Sequence, residues 1–112
     1  MPVARRSFLH LAAGAASLAA LPRTAAADNY PSRPVRIVVP YPAGIAPDIA
    51  TRLLAEALSQ HFGQQFIVDN RPGGASNIGT EIVVRAPADG YTLLTLTMTN
   101  TINVSLYDNL SF

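Results

Sequence analysis

At 112 residues, with no repeat and no low-complexity run, the chain has room for one domain at most. It contains no cysteine, which removes a disulfide framework and a thiolate metal site. Its eight basic residues form neither a basic stripe nor a run interleaved with aromatics, which argues against nucleic acid as a partner.

The chain opens on the layout of an export signal. Arg5 and Arg6 precede an apolar run from Phe8 to Leu21, and the small residues Ala25-Ala26-Ala27 follow. Residues 1–27 are therefore expected to be cleaved after Ala27, leaving Asp28 first. The apolar run is 14 residues long and contains His10, short of the roughly 20 apolar residues that cross a hydrocarbon core. Arg5-Arg6-Ser7-Phe8-Leu9 resembles a twin-arginine leader, although Ala4 and His10 replace the hydroxyl residue and lysine which that pattern favours, so the general export route stays open beside it. Without the leader, five arginines face seven acids, a net charge of −2.

The first predicted strand, Val35 to Pro40, is nearly continuously β-branched, the character of a strand buried on both faces at the centre of a sheet. Pro42 to Ala46 forms a loop. Ile49, Leu53, Leu54, Ala57, Leu58 and Phe62 then recur at helical spacing, predicting a helix over 47–62 that packs this stripe on the sheet. Pro47 and Asp48 suit its first turn and Gly63 its end. Phe66-Ile67-Val68 makes a second strand, and the loop Pro72 to Asn77 carries two adjacent glycines. Ser76 or Asn77 can cap a shorter helix that ends near Arg85. Pro87-Ala88-Asp89-Gly90 turns into a third strand, Tyr91 to Leu96, followed by a hydroxyl-rich loop from Thr97 to Asn103.

Strand, helix, strand, helix, strand with right-handed crossovers gives a three-stranded parallel sheet, the first strand central, with all three loops at one edge. Helix-start amides and the helix dipole at such an edge suit a small anion without a dedicated cation.

Particular residues also look familiar. Residues 30–44 (YPSRPVRIVVPYPAG), Asp69-Asn70-Arg71-Pro72-Gly73, Asn77-Ile78-Gly79-Thr80-Glu81 and Ala88-Asp89-Gly90-Tyr91-Thr92-Leu93-Leu94 resemble the extracytoplasmic solute receptors of tripartite tricarboxylate transporters, the Bug family. The resemblance implies an α/β type II periplasmic-binding-protein fold. Residues 28–112 would form the parallel β-α-β-α-β part of the first lobe, with the rest of that lobe and the second lobe absent. It also implies a small organic carboxylate ligand, delivered to the permease subunits of a membrane transporter by a receptor that is monomeric when complete. No cofactor, metal, nucleic acid or catalysis is implied, and the location is periplasmic.

Carried over to matching positions, the resemblance nominates Tyr41, Ala43, Gly44 and Asp48 from the first connection and Asn70, Gly73, Gly74, Ser76 and Asn77 from the second. Thr99, Asn100 and Thr101 are weaker candidates from the third. The family usually has further glycine and a hydroxyl residue where Ile45-Ala46-Pro47 stands. Pro47 lacks an amide proton and Ile45 adds bulk at the mouth, implying either an altered ligand preference or a copy that has drifted. Gly74-Ala75-Ser76 likewise replaces a more glycine-rich run.

Plainer roles stand beside these. Asp48 equally suits a helix N-terminus, Arg71 can pin its loop to neighbouring backbone, and Tyr41 can cover the end of the core. His61 sits about 20 Å along its helix from the loops and reads as solvated surface. With His10 lost in the leader, a Ser-His-Asp arrangement has no parts. A nucleotide site fails on its residues: Gly74 to Gly79 has the G-x-x-x-x-G spacing, but Thr80-Glu81 follows it in place of lysine and a hydroxyl. A non-functional fragment of such a receptor is the remaining alternative. A three-stranded sheet of about 85 residues would leave apolar edges uncovered.

Overall fold

The computed structural model describes residues 29–112; the export leader expected at 1–27 lies outside them. In chain order the elements are β1 (Val35–Val39), α1 (Ala46–Phe62), β2 (Phe66–Asn70), a 3-10 turn (Gly74–Ser76), α2 (Asn77–Val84), β3 (Thr92–Leu94) and α3 (Met98–Leu106). The strands pair in parallel in the order β2-β1-β3. Val35 stands opposite Phe66 and Val39 opposite Asn70, while Arg36 and Val38 stand opposite Thr92 and Leu94.

β1 is central because its side chains can be buried on both faces: Val35, Ile37, Val38 and Val39 are all buried. Ile37, Val35, Ala55 and Phe66 form the core, with Leu58, Val68, Tyr91 and Leu93 packed on it. α1 includes Pro47 in its first turn and ends at Gly63, whose left-handed backbone (φ 67°) brings its N–H to the Ser59 carbonyl at 3.0 Å. At the opposite edge of the sheet Tyr30 Oη donates to the Gly90 carbonyl at 2.6 Å and Arg33 pairs with Asp89 at 2.9 Å.

Three expectations need correction. First, α1 lays only Leu58 of its predicted apolar stripe against the core, and most of the stripe stays exposed. The buried residues are Asp48, Thr51 and Ala55, while Leu53 and Leu54 are 66% and 56% exposed. α1 lies over β1 and β2, and among the described residues the sheet has no strand beyond β3 to cover the rest of the stripe. Leu54 and Leu58 instead line an open groove of about 570 Å³ with Ile37, Leu93, Leu94 and Leu96.

Second, the segment from Thr97 is not a loop but the start of α3. The Asn100 side chain accepts the Thr97 N–H at 3.0 Å, so residues that look loop-like by composition act here as a helix cap. β3 is correspondingly shorter than expected. Third, neither Ser76 nor Asn77 caps α2 with its side chain. Ser76 holds the N-cap position in a left-handed conformation with no side-chain cap bond.

α2 is seated by Gly79. A Cβ there would lie 2.8 Å from the Pro40 Cβ and 2.9 Å from the Arg71 carbonyl oxygen, so only glycine lets the helix approach the ends of β1 and β2 this closely. Among the described residues no helix is long and apolar enough to cross a membrane.

Candidate functional site: a polar network at the carboxyl edge of the sheet

The connections after β1, β2 and β3 meet at one edge, and their polar side chains interlock. Asp48, in the first turn of α1, is only 2% exposed. Its Oδ2 accepts the Gly44 N–H at 2.8 Å, and its Oδ1 accepts Asn70 Nδ2, also at 2.8 Å. Arg52, one turn further along α1, places Nε 3.1 and 3.0 Å from the two oxygens and Nη2 2.9 Å from Asn70 Oδ1. Asn70 Nδ2 also donates to the Tyr41 carbonyl at 3.0 Å. The Arg52 guanidinium, then the Gly44 amide and Asn70, hold the Asp48 carboxyl at a pKa of about 2, so it is ionised and internally compensated.

Tyr41 joins the third connection to the other two. Its Oη lies 2.6 Å from Thr97 Oγ1. Burial pushes the phenol pKa up, and hydrogen bonding with the hydroxyls of Ser76, Thr97 and Thr99 outweighs it, leaving the phenol below its ordinary value. Tyr41 thus holds Asn70, at the end of β2, through its carbonyl and Thr97, at the third connection, through its hydroxyl.

The second connection is strained. Gly73, Gly74, Ala75 and Ser76 all have positive φ (120°, 55°, 51° and 73°). For Ala75 and Ser76 this conformation costs about 1 kcal/mol each. Such strain persists only when surrounding bonds enforce it and collects at ligand clamps. Here Asn103 Nδ2 donates to the Ala75 carbonyl at 2.6 Å and Thr80 Oγ1 to the Ser76 carbonyl at 2.8 Å. Asn103 also bonds Asn77 Oδ1 at 2.8 Å, and Asn100 Nδ2 donates to Thr80 Oγ1 at 2.7 Å.

Of the residues nominated from sequence, the structure brings Tyr41, Asp48, Asn70, Ser76, Asn77, Thr99 and Asn100 into or against this network. Ala43, Gly44, Gly73, Gly74 and Thr101 are exposed at its rim. The polar groups of Gly44 and Asp48 are turned toward each other: the Gly44 amide, expected to be free, is taken by the Asp48 carboxylate. Ile45 occupies the N-cap of α1 with extended backbone, 41% exposed and without a capping group.

Arg71 bonds the side chain of Asp69 at 3.0 and 3.1 Å rather than neighbouring backbone. His61 is exposed near the far end of α1. Sequence reasoning missed Arg52, Thr80, Thr97 and Asn103. For Arg52 a signal existed, its spacing of four residues from Asp48 on one helix face. For Asn103 none did, since its partners lie more than 20 residues away.

An open parallel sheet whose strand-to-helix connections converge in one polar network is the frame of an α/β ligand-binding lobe. Comparison with known proteins narrows the class. The model of the tripartite tricarboxylate transporter family receptor matches residues 50–112, more than half of the chain, and the chain belongs to that family. It is a family of solute-binding receptors, not enzymes.

Several solved structures align with the chain, three of them as follows. An R. palustris protein solved with adipate is 46% identical, with a TM-score of 0.57 over 58% of this chain and 22% of its own. The periplasmic binding protein BugD is 45% identical, with a TM-score of 0.56 over the same shares. MatC from Rhodopseudomonas palustris, with bound malate, is 27% identical, with a TM-score of 0.65 over 74% of this chain and 29% of its own. The expected part-lobe of a periplasmic binding protein is thereby borne out. The chain spans about a fifth of the length of the first curated relatives it matches.

Proposed function

We propose that residues 29–112 supply the first-lobe half of a carboxylate-binding crevice in an extracytoplasmic solute receptor. The observation that carries this reading is the interlocking of three strand-to-helix connections, through Asn70 on the Tyr41 carbonyl and Asp48 and through Thr97 on the Tyr41 hydroxyl, beside a strained segment braced from two sides. Tyr41, Ala43 and Gly44 form one wall, Gly73, Gly74, Ser76 and Asn77 the second, and Thr99, Asn100 and Thr101 the third. Backbone amides and hydroxyls at helix starts favour an anion there. Asp48, neutralised by Arg52 and buried, does not repel it. Solved neighbours with adipate and malate support a small dicarboxylate as the ligand class.

In the complete receptor a second lobe closes over the ligand as a rigid body and the loaded protein docks on the membrane subunits of its transporter. Export with cleavage after Ala27 belongs to the same reading. Calorimetric titration tests it in a chimera in which residues 29–112 replace the aligned segment of the R. palustris adipate protein. The expected outcome is saturable binding of adipate or malate at micromolar concentrations. Silence toward both, from a chimera that melts cooperatively, would count against the reading.

A further inference from the structure

Rather than contacting the ligand, Asp48 and Arg52, we propose, form a latch that sets the spacing of the first two crevice loops, and are therefore positioning residues. The inference deepens the reading of the crevice as a carboxylate site and rests on it. It starts from the occupancy of one side chain. Asp48 is 2% exposed, and each of its oxygens already accepts from a different loop, Gly44 N–H on one side and Asn70 Nδ2 on the other, both at 2.8 Å. A carboxylate so engaged has no face left for a ligand, yet it fixes where Gly44 and Asn70 stand.

Arg52 closes the ring. It bonds Asp48 through Nε and Asn70 Oδ1 through Nη2 at 2.9 Å, so one guanidinium bridges α1 to the end of β2. Asn70 Nδ2 reaches on to the Tyr41 carbonyl at 3.0 Å, which carries the constraint to the residue around which all three connections meet. The ring is cooperative by construction. Without the cation the buried carboxylate is uncompensated, and without the carboxylate Gly44 N–H and Asn70 each lose a partner. Arg52 itself is half exposed on the helix surface, so its removal takes nothing out of the core.

The test is a double-mutant cycle in the chimera described above, with adipate as probe. Asp48→Asn and Arg52→Met are each expected to weaken adipate about tenfold, and the double variant to be no weaker than either single, because the neutral amide no longer needs the cation. Arg52→Lys, which keeps the charge but not the bridge, is expected to lose affinity by a smaller factor. Hydrogen exchange is read on the same proteins. In Arg52→Met it is expected to accelerate in residues 41–48 and 69–77 while β1 keeps its protection.

Losses that multiply to about a hundredfold, or affinity within twofold of the unsubstituted protein in Arg52→Met, would overturn the proposal. So would exchange that rises equally in β1, the mark of general destabilisation. If the unsubstituted chimera binds no adipate, the functional reading fails, and the exchange data still decide whether the latch couples the loops. Should Arg52→Met fail to fold, Asp48→Asn and Arg52→Lys carry the same exchange comparison.

Discussion

The two sides of this molecule follow opposite rules. At the carboxyl edge of the sheet the buried polar side chains find their partners within residues 29–112: among the described residues no buried side-chain nitrogen or oxygen is left unpaired. Over the outer face of α1 and the flank beside β3, apolar groups find no cover among the described residues: Leu53, Leu54, Leu96, Met98 and Val104 are all more than half exposed. The crevice is built by bonds local to three loops, so this segment can complete its polar part alone. The flank is apolar surface that only further structure can bury. A receptor several times longer, as the relatives are, would need both.

The comparison breaks most severely at Gly79, where crevice and core share one contact. Gly79→Val is expected to destabilise the chimera by about 3 kcal/mol through overpacking against Pro40 and the Arg71 carbonyl, read as a lowered melting midpoint together with lost adipate binding. A midpoint equal to the unsubstituted protein would mean that the two helix-bearing loops are not packed as described.

The flank gives the next largest effect. Leu53→Lys combined with Leu54→Gln in the 112-residue chain removes uncovered apolar surface without touching the crevice. The expected outcome is a larger monomeric fraction by light scattering; an unchanged or smaller fraction would show that this face is already covered.

How much of this was legible in the sequence differs between the two sides as well. The β-branched run Val35 to Val39 placed the central strand, and Gly63 placed the end of α1, because each signal is local. The facing of α1 was not legible. Periodicity identifies Ile49, Leu53, Leu54 and Leu58 as one stripe but says nothing about how wide a sheet lies beneath it. Thr97 and Asn100 misled by composition, since the same hydroxyl and amide groups that favour loops also cap helices. Asp48 was legible as important, but its role was not, because Asn70 lies 22 residues away and Arg52 is informative only once Asn70 is beside it.

The smallest expected effect sharpens the contrast through pH. Asp48 is held at about 2 against an ordinary 3.8. A carboxyl depressed in the folded state contributes stability that is fully present above its unfolded pKa and lost as pH falls through the folded one. The difference in denaturant midpoint between the chimera and its Asp48→Asn variant is therefore expected to be constant above pH 5 and to shrink between about pH 4 and pH 2. Leu54→Gln alone, which adds and removes no charge, is expected to shift the midpoint by the same amount at every pH. A difference independent of pH for Asp48→Asn would show that its carboxylate is not paired as the geometry has it.

The central claim is that the loops of residues 29–112 themselves grip a carboxylate. It is tested most directly by titrating adipate into the chimera and following backbone amide resonances across these residues. Saturable shifts are expected, concentrated in residues 41–45 and 73–77, with the N-terminal edge around Tyr30 and Arg33 unmoved. Saturation with no shift in those two loops, the ligand being held elsewhere in the chimera, would contradict it.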